Sequence, residues 1–201
     1  DLPGHGKSAA PGRDTIAGYC DVVYGFMQAL GLTRVALAGH SMGGAIVQEV
    51  ALHYPGRLAG IVLVGTGARL RVAPAILDGI RSDFPATART IADWVHDKNV
   101  PEQLKRLYLQ AVLENDPQVM YGDFYACDQF DRRADVARIA TPALVLCGSN
   151  DLMTPPKFSE SLAQTLPNAR LALIPNAGHM VALEAPEEVA AAVNAFLRGL
   201  S

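Results

Sequence analysis

The sequence predicts an α/β fold: a mostly parallel sheet covered by helices on both faces, with a helical insertion. Three observations carry that reading. Four short apolar runs, Arg34–Ala38, Leu58–Val64, Pro142–Cys147 and Ala169–Ile174, have the length and continuity of strands buried in a parallel sheet. Segments of helical periodicity alternate with them, as a doubly covered sheet requires. Between the second and third runs, from Ala68 to Ala140, strand-like patterns vanish and helical patches follow one another.

Composition sets the bounds. The chain has 201 residues, enough for one domain with an insertion. Half the residues are hydrophobic and 18% are charged, so a sizeable core is expected. Net charge is −3, with no basic stripe that would point to nucleic acid and no polybasic segment that would point to an anionic membrane surface. No apolar run approaches the roughly 18–20 residues of a membrane span, and no signal peptide is visible, so a cytoplasmic location is expected. Cys20, Cys127 and Cys147 are scattered and odd in number, which reads as buried free thiols rather than a disulfide or metal set.

In chain order, Asp1–Ser8 opens with turn chemistry, one proline and two glycines. Gly6-Lys7-Ser8 resembles the end of a phosphate-binding loop, but the first glycine of that pattern falls on Asp1, whose carboxylate would repel phosphate. Asp14 or Thr15 can cap a helix to about Leu30, with Ile16, Tyr19, Val23, Phe26, Met27 and Leu30 at helical spacing and Gly31 as its end. Arg34–Ala38 is the first buried strand. Ala45–Leu52 is helical, and His53-Tyr54-Pro55-Gly56 stops it. Leu58–Val64 is the second strand, closed by Gly65-Thr66-Gly67. The insertion reads as helices over 74–82, 85–96, 101–115 and 117–130, each with a proline at or near its start. The third strand leads into Gly148-Ser149-Asn150-Asp151, a helix over 155–166 follows, and the fourth strand leads into Pro175–His179. A last helix from Pro186 buries Val189, Val193, Phe196, Leu197 and Leu200. The expected division is therefore 1–67, the first part of the core; 68–140, the helical insertion; and 141–201, the second part of the core.

The chemistry is expected at the strand ends. Gly39-His40-Ser41-Met42-Gly43 follows an apolar strand and opens a helix, the context of a G-x-S-x-G nucleophile elbow. A strained turn there lifts the serine hydroxyl clear of the sheet, with Gly39 and Gly43 supplying hydrogen where a Cβ would collide. In parallel sheets reactive groups gather in loops after strand ends. Three such loops carry Ser41, Asp151 and His179, in the order serine, acid, histidine. Asp151 and His179 are 28 residues apart, room for one helix and one strand. A serine hydroxyl is a weak nucleophile near neutral pH, so His179 is expected to take its proton and Asp151 to hold the imidazole tautomer. The N–H of Met42 is expected to donate to the oxyanion. His40 is expected to pack or hydrogen-bond locally, and His5, His53 and His96 are isolated, so neither metal nor cofactor is expected. Trp94 and the aromatic patch around Phe124 read as core of the insertion or as substrate contacts. With Met42 and Met180 they are the candidate lining of an apolar substrate pocket.

These motifs resemble the α/β-hydrolase superfamily over essentially the whole chain. Gly39–Gly44 resembles its elbow, Gly148–Asp151 its acid loop, Asn176–His179 its histidine loop, and Asp1–Ser8 the turn after its fourth strand. The branch it is similar to holds carboxylesterases, enol-lactonases, cofactor-free haloperoxidase-like enzymes and C–C bond hydrolases. The resemblance implies a cap at the helical block. It implies a serine hydrolase that cleaves a small, mostly apolar ester through an acyl-enzyme, or alternatively a lactone or a C–C bond. It also implies first strands and a second oxyanion donor that would precede Asp1. Without them the expectation is an open sheet edge prone to self-association, and an inactive or binding-only chain as a further alternative.

Overall fold

The computed structural model describes residues 1–200. Its sheet has four parallel strands in the order β1-β2-β3-β4: β1 Val35–His40, β2 Leu58–Val64, β3 Ala143–Gly148 and β4 Ala169–Ile174. Because side chains alternate along a strand, the two inner strands feed two separate cores. Ile61, Leu63, Ala143 and Val145 face one way, onto α1 (Ile16–Ala29), α2 (Met42–His53) and α7 (Pro156–Thr165). Val62, Val64, Leu144 and Leu146 face the other way, onto α8 (Val181–Glu184) and Phe196 of α9 (Pro186–Arg198).

Burial on both faces holds for β2 and β3 but not for the outer strands. Along β1 half-buried and exposed residues alternate, with Ala36 and Ala38 exposed. On β4, Leu171 and Leu173 are each 41% exposed. Both are edge strands, and the helices that pack on them cover one side more than the other. Two helices also bury less than their periodicity predicts. Thr15 caps α1, its hydroxyl accepting from the Gly18 N–H, and Ile16, Tyr19, Cys20 and Met27 are buried, but Phe26 and Leu30 are exposed. In α9 Phe196 is buried while Leu197 is exposed. The four-residue α8 was not expected from periodicity, which one turn is too short to display.

Between β2 and β3 lie α3 (Pro74–Ser82), α4 (Phe84–Val95), α5 (Glu102–Leu113) and α6 (Pro117–Gln129). Ile76, Ile80, Phe84, Ala88, Ile91 and Val95 form their own core, against which Met153 and Met180 of the two later loops pack. Trp94 is not part of it and is 41% exposed, a correction to the expectation that it fills the core of this block. α6 packs on this core through Met120, Tyr121 and Phe124, and its C-terminal end docks on α1 and α2 through Ala126 and Phe130. Its Asp123 accepts from the Tyr19 hydroxyl and pairs with Nε2 of His5 at 2.8 Å, which ties Asp1–Ser8 to the block. The phosphate-loop likeness of Gly6-Lys7-Ser8 is filled by the chain itself: the Lys7 N–H donates to the Asp1 carboxylate at 2.9 Å.

Candidate active site

Ser41 sits between β1 and α2 with φ 54° and ψ −116°, a backbone strain that a serine tolerates only where the surroundings enforce it. Its N–H is held by the Val64 carbonyl at 2.9 Å. The glycines that permit the turn differ in part from those the motif names. A Cβ on Gly39 would lie 2.1 Å from the Gly43 carbonyl oxygen, so Gly39 is required. A Cβ on Gly43 would meet nothing within 4 Å. The second close approach is at Gly44, where a Cβ would lie 2.5 Å from Thr66. Gly39 thus lets β1 close on the first turn of α2, Gly44 lets that turn pack against Thr66 after β2, and the expectation that Gly43 avoids a clash is corrected. The Met42 N–H, first in α2, points from the helix N-terminus without a partner among the described residues.

The acid and histidine loops fold against each other. The Asn150 N–H donates to the Ala177 carbonyl at 2.9 Å, and the Asn176 N–H donates to the Ser149 hydroxyl at 2.9 Å. A Cβ on Gly148 would lie 2.2 Å from the Gly178 carbonyl oxygen, so only glycine allows this contact. It places Asp151 Oδ2 at 2.8 Å from Nδ1 of His179, with both residues buried. Asp151 Oδ1 accepts from the N–H groups of Met153 and Thr154 at 2.9 and 2.8 Å, and Oδ2 accepts from the Thr154 hydroxyl at 2.9 Å. Burial acts to raise the Asp151 pKa. The bonds from His179 and Thr154 outweigh it and hold the carboxyl below its ordinary value. An ionised Asp151 makes His179 Nδ1 the protonated nitrogen and leaves Nε2 as the basic one.

His179 lies over the same end of β2 as Ser41. His40, next to the serine, donates from Nε2 to the His179 carbonyl at 2.9 Å, and the two rings stand 4.5 Å apart. A Cβ on Gly65, directly after Val64, would touch both imidazoles at 3.3 Å. Crowding by protein atoms lowers the His40 pKa although part of the residue stays exposed, and His179 adds to the effect. His40 therefore braces the histidine loop. No hydrogen bond joins Ser41 Oγ to His179 among the described residues, and Nε2 of His179 is unpartnered there.

A narrow cavity of about 60 Å³ opens on Ser41. Phe124 lines it; Met42, Trp94 and Met180 do not. Met42 packs instead beside Ile46 and Phe130, and Met180 against the core of the helical block. The walls that the sequence did not reveal are Leu70, Val72, Met153 and Phe158, together with Arg69 and Arg71. Thr154 was also missed as a site residue. The signal was the Asp-x-x-Thr spacing, in which a loop carboxylate accepts bonds from residues two and three positions on. The thiols of Cys20, Cys127 and Cys147 are free, and burial pushes each up to about 12, so none is a thiolate near neutral pH. No cluster of three metal-ligating side chains occurs among the described residues.

A serine on a strained strand-to-helix turn, with a buried histidine–carboxylate pair in the loops after β3 and β4, defines a class of hydrolytic enzymes with a parallel sheet. Comparison with known proteins narrows it. A family model described as "Alpha/beta hydrolase family" matches residues 1–192, and the chain belongs to that family. It is a hydrolase of the α/β-hydrolase family. A protein of Caulobacter sp. (strain K31) named as a carbamate hydrolase, RutD, is 32% identical over 213 residues, covering 99% of this chain and 79% of that one. The enol-lactonase from Burkholderia xenovorans LB400 superposes with a TM-score of 0.93 at 27% identity, over 98% of this chain and 79% of that one. A thermophilic esterase from Thermogutta terrifontis superposes with a TM-score of 0.89 at 29% identity, over 100% and 78%. No described helix is long and apolar enough to cross a membrane.

Proposed function

We propose that the chain is a serine hydrolase that cleaves a small carboxylic ester through an acyl-enzyme, with Ser41, His179 and Asp151 as its triad. The observation that carries this is the buried Asp151–His179 pair beside the strained Ser41 turn. In this reading Nε2 of His179 takes the Ser41 proton as Oγ attacks the carbonyl carbon, then returns it to the leaving alcohol. Water repeats the sequence to free the acid. The Met42 N–H donates to the oxyanion, an interaction worth roughly 10²–10³ in rate. A lactone is the second substrate class, since it undergoes the same acyl transfer and one structural relative is an enol-lactonase.

Incubation with a fluorophosphonate followed by peptide mass spectrometry tests the assignment. The adduct is expected on Ser41, and Ser41→Ala is expected to lower ester turnover by several orders of magnitude. A folded protein that takes no adduct at Ser41 refutes it.

A further inference from the structure

The cavity on Ser41 shares Arg69, Arg71 and Phe158 with a wider one of about 210 Å³, which Arg133 also lines. Three arginines therefore line these two cavities, in a chain whose net charge is −3. Their carboxylate partners do not balance them. Asp131 serves two: it lies 3.6 Å from Nε of Arg69 and 2.6 Å from Arg133. Those contacts hold its carboxyl well below the ordinary range, at about 2, with the Arg133 hydrogen bond as the largest cause. Asp128, the other nearby acid, accepts from the Val72 N–H at 3.1 Å. Arg71 has no ion pair or hydrogen bond among the described residues.

Arg71 is exposed and carries no ion pair among the described residues, and where it lines the cavity it presents a rigid fork of donors that matches a carboxylate. The same cavity is walled by apolar groups, among them Leu70, Val72, Phe124 and Met153, so it combines an apolar lining with two cations.

We propose that Arg71, supported by Arg69, is a specificity-determining residue that anchors a carboxylate carried by the substrate's acyl group. This rests on the hydrolase reading above and refines its substrate class: an ester or lactone whose acyl chain ends in a carboxylate, rather than a fully neutral one. The Asp131 pairs hold Arg69 and Arg133 in place, and Arg71 is the cation left for the ligand.

Two measurements test this. The first compares the p-nitrophenyl monoester of glutaric acid with p-nitrophenyl butyrate. The expected result is a lower KM for the charged ester, with that preference reduced by about tenfold or more in Arg71→Gln and by added salt. Arg34→Gln removes the same charge at the opposite end of β1 and is expected to keep the preference. The second measures glutarate binding to Ser41→Ala by calorimetry, against the uncharged glutaramide, so it does not depend on turnover. Glutarate binding that is lost on adding Arg71→Gln supports the anchor. Equal binding of both compounds, or a preference for the charged ester that survives Arg71→Gln, overturns it. Failure of Ser41 labelling with glutarate binding intact would instead refute the hydrolase reading.

Discussion

Replacing Gly39 and Gly43 separately with alanine should give opposite results, although both are glycines of one motif. On Gly39 the new Cβ would lie 2.1 Å from the Gly43 carbonyl oxygen, 2.3 Å from its carbon and 2.7 Å from the Gly44 nitrogen. All three are backbone atoms of the first turn of α2, so no side chain can swing away. The strand and the helix must separate, and overpacking of this kind costs about 1–3 kcal/mol, or more where backbone is trapped. At Gly43 nothing lies within 4 Å, and the residue is helical. Alanine there should gain up to about 1 kcal/mol of helix propensity. For a domain of this size 1 kcal/mol moves Tm by about 2–4 °C. Thermal unfolding of the two variants should therefore show Gly39→Ala falling by several degrees and Gly43→Ala holding or rising by a few. If Gly43→Ala destabilises as much as Gly39→Ala, the assignment of the close approach to Gly39 and Gly44 is wrong.

Thr154→Val removes the hydroxyl that donates to Asp151 Oδ2 at 2.9 Å and lies 3.2 Å from Nδ1 of His179. A lost hydrogen bond to a charged group costs about 1.5–3 kcal/mol, so steady-state assays should find kcat down by roughly tenfold or more; an unchanged kcat would dismiss Thr154 as a positioning residue. Asp151→Asn should show a pH-dependent loss of stability. The folded carboxyl sits below its unfolded value of about 3.9, so its contribution is full at neutral pH and disappears as pH falls through the folded pKa. Urea unfolding of both proteins at stepped pH should find the gap between them constant down to about pH 4 and narrowing below. A gap that instead narrows between pH 7 and 5 would contradict the lowered pKa.

The candidate triad was legible because each member follows its own strand, and strand-then-loop is a local pattern. Ser41, Asp151 and His179 needed only the apolar runs before them and the rule that parallel strands deliver their loops to one edge. The inner strands β2 and β3 were legible for the same reason. What depends on distant partners was not. Whether β1 is covered on its second face is decided by which helices cross it, and no feature of Val35–His40 records that. Gly43 fits the motif's letters, yet the clash is set by Thr66, more than twenty residues away, and falls on Gly44. Trp94 looked like core on its chemistry alone, but its position on α4 turns it outward.

The cavity walls were illegible for a reason that bears on the enzyme itself. Ser41, the segment from Arg69 to Val72, Phe124 with Cys127, and Met153 to Phe158 meet there from four separated parts of the chain. The candidate reacting groups come from loops pinned by backbone contacts that only glycine allows, at Gly39 and Gly148. The walls come from the entry to the helical block, from α6 and from the start of α7, held by side-chain packing and a few ion pairs. Backbone contacts fix geometry to tenths of an ångström, while packed side chains tolerate exchange at fixed volume. Chemistry and recognition are therefore separable in this fold. Substitutions at Leu70, Arg71, Val72 and Phe158 should redistribute KM among substrates, while kcat answers chiefly to Thr154, Asp151 and His179.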